Sequence, residues 1–252
     1  MTNPEPARAA ATTILDSYEV LLGRANIADS GEARIGASLI LTIFEQFRSA
    51  LCLVDAGYAS HAAGPIRSML EGVADLMNLS KDAEYLNQLH YENARSNVAL
   101  FNDLLKLKDV PDEMAEKVCE RRDIEKPIRN KLEKAGHDKI PIEKKLKNVD
   151  LGDAYVNYRI LCALVHTSVT SLISRHAGRK RLTELGYCRP ADPPVIGLLL
   201  LIAVDLLVRA GSELHSFTDL TEDEVNAVAE EAKLVWGVAD ARMRKRASDA
   251  QQ

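Results

Sequence analysis

The four cysteines, Cys52, Cys119, Cys162 and Cys188, are far apart and form no C-x-x-C pair. Zinc ribbons and dithiol redox sites need that spacing, so both are excluded. Three of the four sit among apolar helical residues, where a reduced and buried thiol is the expectation. Alternating apolar–polar runs, the mark of half-buried strands, are almost absent. Long hydrophobic runs are absent too: the strongest, "VIGLLLLIAV" at 195–204, ends after ten residues at Asp205, short of what a bilayer requires. The opening "MTNPEPARAAATTILDSYEV" has no apolar signal core. A soluble cytoplasmic protein with no membrane association is expected. No glycine-rich phosphate loop, nucleophile elbow or zincin motif occurs. The Glu-x-x-His pairs of a di-iron bundle are missing as well. Neither a metal nor a cofactor is expected.

What is present is globular: 46% hydrophobic and 27% charged residues in 252, enough for a sizeable core without staples. The net charge of −5 argues against a nucleic-acid binder by overall electrostatics. Its distribution is uneven. Residues 121–147 hold ten Lys/Arg against five Asp/Glu, a local +5 that leaves −10 for the rest. A second basic run, "RHAGRKR", occupies 175–181. Such patches can steer a polyanion, so RNA or a nucleotide is the partner they suggest. Each also has an ordinary reading, the first as a solvated face and the second as cations complementing a helix C-terminus.

Helical periodicity runs along most of the chain, giving an all-α expectation: a single bundle of about eight helices over 1–252, with its core at about 5–246. The first helix runs from about Glu5 to Ala28. Asp29 and Ser30 cap the second, which ends near Asp55. Pro65 opens the third, to about Leu79. A fourth reaches about Lys108, and Pro111 starts a fifth that is bent or interrupted at Pro127. The basic segment of about 121–149 reads as irregular, with short helical pieces. A sixth helix covers 154–174, "AYVNYRILCALVHTSVTSLIS". After it, "HAGRKRLTELGYCRPADPP" is the longest connection, with room for a small hairpin. Pro194 starts a seventh helix to about Phe217, and "TDLTEDE" caps an eighth to about Arg246.

The sixth helix holds the candidate site. At about 100° per residue, Tyr155, Arg159, Cys162 and His166 fall in one stripe. Arg159 is the only charged residue between Asp153 and Arg175, and a buried guanidinium must find an acceptor. The third helix offers one in "RSMLE", where Arg67 and Glu71 stand one turn apart and Asp75 extends the stripe. A network of Glu71, Arg67, Arg159, His166 and Tyr155 would satisfy these groups together. Plainer roles exist for each: an exposed Arg67–Glu71 pair, a hydrogen-bonded core histidine, and a packed tyrosine.

Arg159, six intervening residues and His166 resemble the motif of the HEPN superfamily of helical bundles. That resemblance implies a metal-independent endoribonuclease or nucleotide-binding module of toxin–antitoxin and phage-defence systems, with a site shared across a homodimer. It implies His166 as acid or base, Arg159 as the stabiliser of transition-state charge, Tyr155 as an orienting group and Glu71 as the holder of Arg159. The polar residue that usually follows the arginine is Ile160 here. "PIRNKLEKAGH" supplies an Arg129–Asn130 pair, but with seven residues before His137. "GPIRSMLEGVADL" together with "YVNYRILCALVHTSV" also resembles an uncharacterised bacterial all-helical family over roughly residues 35–215. Two functions therefore stand: an endoribonuclease or defence effector of HEPN type, and a non-catalytic helical module binding a partner or ligand. Exposure of His166 separates them.

Overall fold

The computed structural model describes residues 4–177, 184–187 and 190–249. Among them the chain forms eleven helical segments: α1 (Glu5–Leu22), α2 (Gly31–Asp55), α3 (Ala63–Lys81), α4 (Tyr85–Leu104), α5 (Asp112–Lys134), α6 (Ile142–Asn148), α7 (Ala154–Val165), α8 (Val169–His176), α9 (Pro193–Ser212), α10 (Leu214–Phe217) and α11 (Glu222–Asp249). A 3-10 turn at Ala59–His61 precedes α3. The all-α expectation holds; the count of eight does not. The surplus comes from α6 inside the basic segment, from a break that splits the sixth expected helix into α7 and α8, and from the short α10. The residues between 121 and 134 are helical rather than irregular, and α5 continues through Pro127. No strand forms among the described residues. An isolated antiparallel bridge, Ala177–Leu185, lies in the connection with room for a hairpin.

Local chemistry accounts for the boundaries. Ser30 caps α2 by accepting a hydrogen bond from the Ala33 N–H at 3.1 Å, the role its side chain suits. Thr221 and Glu224 cap α11 reciprocally: Thr221 N–H donates to Glu224 Oε2 at 2.9 Å and Glu224 N–H to Thr221 Oγ1 at 3.3 Å, a capping box. Between α1 and α2 the chain leaves helix at Gly23. Asn26 then clamps Asp219 through its backbone and side-chain nitrogens, both at 2.8 Å.

The core lies where α1, α2, α3, α9 and α11 meet. Ile40, Ile43 and Phe47 of α2, Ile66, Met69, Leu70 and Leu76 of α3, and Leu199 and Leu207 of α9 are all at most 1% exposed. Each such side chain contributes roughly 1.5–3 kcal/mol by leaving water. Two glycines permit the closest approaches. A Cβ on Gly211 would overlap the Tyr18 ring, and one on Gly36 the Phe217 ring. By length and composition α2 and the stretch Pro193–Phe217 could each cross a bilayer, so the apolar run at 195–204 belongs to a longer helix than its ten residues suggest. In this fold both lay a face into the core.

α4 and α5 pair chiefly with each other and supply no fully buried residue to that core. The hairpin is therefore a separate layer, joined to the body at its base. Cys52 is exposed and Cys119 and Cys162 are half-buried, which corrects the expectation of buried thiols. Cys188 lies outside the described residues.

Candidate functional site

α3 and α7 pack side by side in opposite directions, so Arg67 near the start of α3 meets the middle of α7. Leu161 is fully buried and sets the inward direction of α7. Tyr158 lies about 60° from it around the helix, whereas Arg159 lies about 160° away. The stripe of Tyr155, Arg159, Cys162 and His166 therefore runs along the flank and outer side of α7. Arg159 is exposed and forms no ion pair among the described residues. The expected Arg159–Glu71 pair does not exist.

Glu71 instead accepts from Arg67 Nε at 3.1 Å. A second guanidinium nitrogen of Arg67 donates to the Tyr158 hydroxyl at 3.1 Å, and its carbon sits 5.2 Å from the Tyr158 ring centroid. Tyr155 stacks on Tyr158 at 6.0 Å. Burial draws the Arg67 pKa down, but Glu71, Cys162 and Tyr158 outweigh it and the net shift is upward. Tyr158 is pushed up by burial and by its hydrogen bond with Cys162. At neutral pH this is a fixed cation with a neutral phenol. The Arg67 and Glu71 side chains are 27% and 43% exposed, so the pair is a surface pair.

α7 ends at Val165 because His166 turns to an extended conformation (φ −74°, ψ 148°). Its backbone N–H still closes the last turn on Cys162 O at 3.0 Å, which keeps it in line with Arg159. Its side chain is exposed. Ser168 then caps α8, accepting from the Ser171 N–H at 3.2 Å. Arg175 reaches back from α8, and one guanidinium nitrogen donates to both Leu164 O and Ser60 O. Arg175 Nε is buried without a hydrogen-bond partner. In "RHAGRKR", Arg175 and His176 are thus structural, His176 bonding Gly186 O at 3.1 Å; residues 178–181 lie outside the described residues.

A second polar cluster stands at the base of the α4–α5 hairpin. Lys145 Nζ, from α6, lies 2.9 Å from Asp75 Oδ1 and 2.7 Å from Glu92 Oε2. Tyr85 donates to the same Asp75 oxygen at 2.7 Å. Gln88 donates to Glu92 at 3.0 Å and pairs with His137 at 3.1 Å. Burial raises the Asp75 pKa despite Lys145. For Lys145 the carboxylates outweigh burial and raise it. The cluster is closed, and its role is to fasten α4 and α6 to α3. Asp75 therefore serves this clamp rather than the α7 stripe. Arg129 bonds its neighbour Asn130 at 2.7 Å, so the Arg129–Asn130–His137 alternative is dispersed: its histidine belongs to the clamp. Elsewhere in 121–147, Lys126, Lys131, Lys134 and Lys144 are exposed.

Sequence reasoning missed Tyr158, Lys145 and Arg175. Tyr158 sits one position from the chosen stripe, and Lys145 looked like one more cation in a solvated run. The only available signal for Lys145 was its place beside the apolar Leu146 at the end of a short amphipathic segment.

The profile of a family described as "Family of unknown function (DUF5677)" matches residues 33–181, more than half of the chain. The protein belongs to the DUF5677 family. The match runs from α2 into the connection after α8, so the DUF5677 region contains the Arg67–Glu71 helix, the α7 stripe, Arg175 and the Lys145 clamp; α9 to α11 lie beyond it. No curated protein and no solved structure matches the chain.

Proposed function

We propose that the outer stripe of α7 is a metal-independent RNA-cleaving site of HEPN type, with His166 as a proton-transfer group and Arg159 as the ligand of the scissile phosphate. The observation that carries this reading is that both groups lie on one line of α7, open to solvent and free of ion pairs among the described residues. RNA supplies its own nucleophile, the 2′-hydroxyl, so a free imidazole and a free guanidinium are the functions such a site needs. Arg67, held by Glu71, positions Tyr158 and through it Tyr155; Glu71 acts on Arg67 and not on Arg159. The exposed lysines of 121–147 would hold the backbone of RNA, and a toxin or phage-defence role in the cytoplasm, as a homodimer, follows from the same reading.

A second reading, a non-catalytic partner-binding module, rests on α8. Among its described side chains Val169, Leu172 and Ile173 are 73%, 44% and 53% exposed, while Ser171 is buried. Beside it Leu185 and Tyr187 line an open groove of about 560 Å³ with Leu172 and Ile173. Cleavage of structured and unstructured RNA by the purified protein in chelator distinguishes the two. His166→Ala should lower the rate by about 10²-fold or more without moving the melting transition, and Arg159→Ala should do likewise. Intact RNA with wild type, or equal cleavage by His166→Ala, refutes the enzymatic reading.

A further inference from the structure

Cleavage through the 2′-hydroxyl requires two proton transfers on opposite sides of one phosphorus. One group takes the 2′-O–H proton as that oxygen attacks phosphorus. Another protonates the 5′-oxygen as the P–O5′ bond breaks and its electron pair leaves, giving a 2′,3′-cyclic phosphate and a free 5′-hydroxyl. Atoms and charge balance with no further reactant. A single imidazole can serve only one side in a concerted step, so His166 needs a counterpart.

The fold brings the backbone that carries one close to the end of α7. Arg175 donates from one nitrogen to Leu164 O, two residues before His166, and to Ser60 O at 3.2 Å, one residue before His61. Two acceptors of one nitrogen cannot lie more than about 6 Å apart. The 3-10 turn and the end of α7 are therefore pinned together, each presenting an exposed imidazole. His61 rests edge-on against Tyr58 at 6.2 Å between centroids. Its ring makes no hydrogen bond among the described residues, so both ring nitrogens remain available. Among the described residues the Arg175 guanidinium bonds only backbone carbonyls, and its Nε is buried without a hydrogen-bond partner, so Arg175 acts as the tie that holds the two segments together. Tyr58 is the ring that His61 meets, and among the described residues no carboxylate is bonded to either histidine.

The geometry points to His61 as the second proton-transfer group, working with His166 across the Arg175 tie. This rests on the RNA-cleaving reading of His166. The test uses the full chain, with wild type, His61→Ala and His166→Ala, on an RNA oligonucleotide and on the same oligonucleotide carrying sulfur in place of the bridging 5′-oxygen. A thiolate leaves without protonation, so a variant lacking the general acid recovers on that substrate. Both variants should lose about 10²-fold or more on ordinary RNA, and one of them, but not the other, should return to within about tenfold of wild type on the sulfur substrate. Cleavage by His61→Ala within about threefold of wild type, with His166→Ala inactive, removes His61 while leaving the RNA-cleaving reading intact. Loss in His61→Ala with no recovery of either variant makes its role structural and overturns the inference. RNA left intact by wild type overturns the reading beneath it.

Discussion

Replacing Lys145 by Met keeps the aliphatic stem but removes the ammonium from between Asp75 and Glu92. Both carboxylates lie within 3 Å of Nζ, so they are no more than about 6 Å apart. At that separation, with an effective dielectric constant of about 20, two like charges repel by roughly 3 kcal/mol. Breaking a buried pair by removing one partner costs about 3–5 kcal/mol. The Asp75 and Glu92 side chains retain 20% and 26% exposure, which places the expected loss at the lower end, about 3 kcal/mol at pH 8. Urea unfolding followed by far-UV circular dichroism measures it, with an unchanged slope showing that the fold is kept. The pH dependence has a definite sign. Burial raises the folded-state pKa of Asp75 above its ordinary value, so the stability linked to it is full below that ordinary value and falls as pH rises through the folded one. Without Lys145 the folded pKa rises further, and the deficit of the variant should shrink from pH 8 to pH 5 as Asp75 takes up its proton. A loss under about 1 kcal/mol, or a deficit that grows toward pH 5, would refute the buried-clamp account.

Glu71→Ala should cost no more than about 1 kcal/mol in the same unfolding assay, because the Arg67–Glu71 pair is exposed; a loss above about 2 kcal/mol would mean that Glu71 is tied into the core. Gly211→Ala should destabilise by about 1–3 kcal/mol through overlap with the Tyr18 ring, whereas Gly197→Ala, in open space on the same helix, should be neutral or gain up to about 1 kcal/mol; calorimetric melting compares the two. Ser168→Ala should cost about 1 kcal/mol by uncapping α8, and amide hydrogen exchange should show the first turn of α8 opening faster.

Much of the helical architecture is local chemistry and was legible before any fold was known. The 3.6-residue apolar period, Ser30 before α2, the Thr221–Glu224 box and the proline-led starts of α5 and α9 act within a few residues of themselves, so the sequence alone determined where those helices begin and that strands are scarce. The break at His166 was not legible: "LVHTSVTSLIS" keeps its helical period through it, and the contact that Arg175 makes beside it, across to Ser60, is distant in the chain. The outward direction of Arg159 was likewise a tertiary decision. Its stripe is as regular as that of Tyr158, and only the packing of Leu161 against the core decided which of the two met Arg67. Lys145 shows the same limit from the other side: its charge suggested a solvated run, and only Asp75 and Glu92, 70 and 53 residues away, made a buried ammonium stable. Periodicity reports which residues share a face; which face meets a neighbour is settled by contacts distant in the chain.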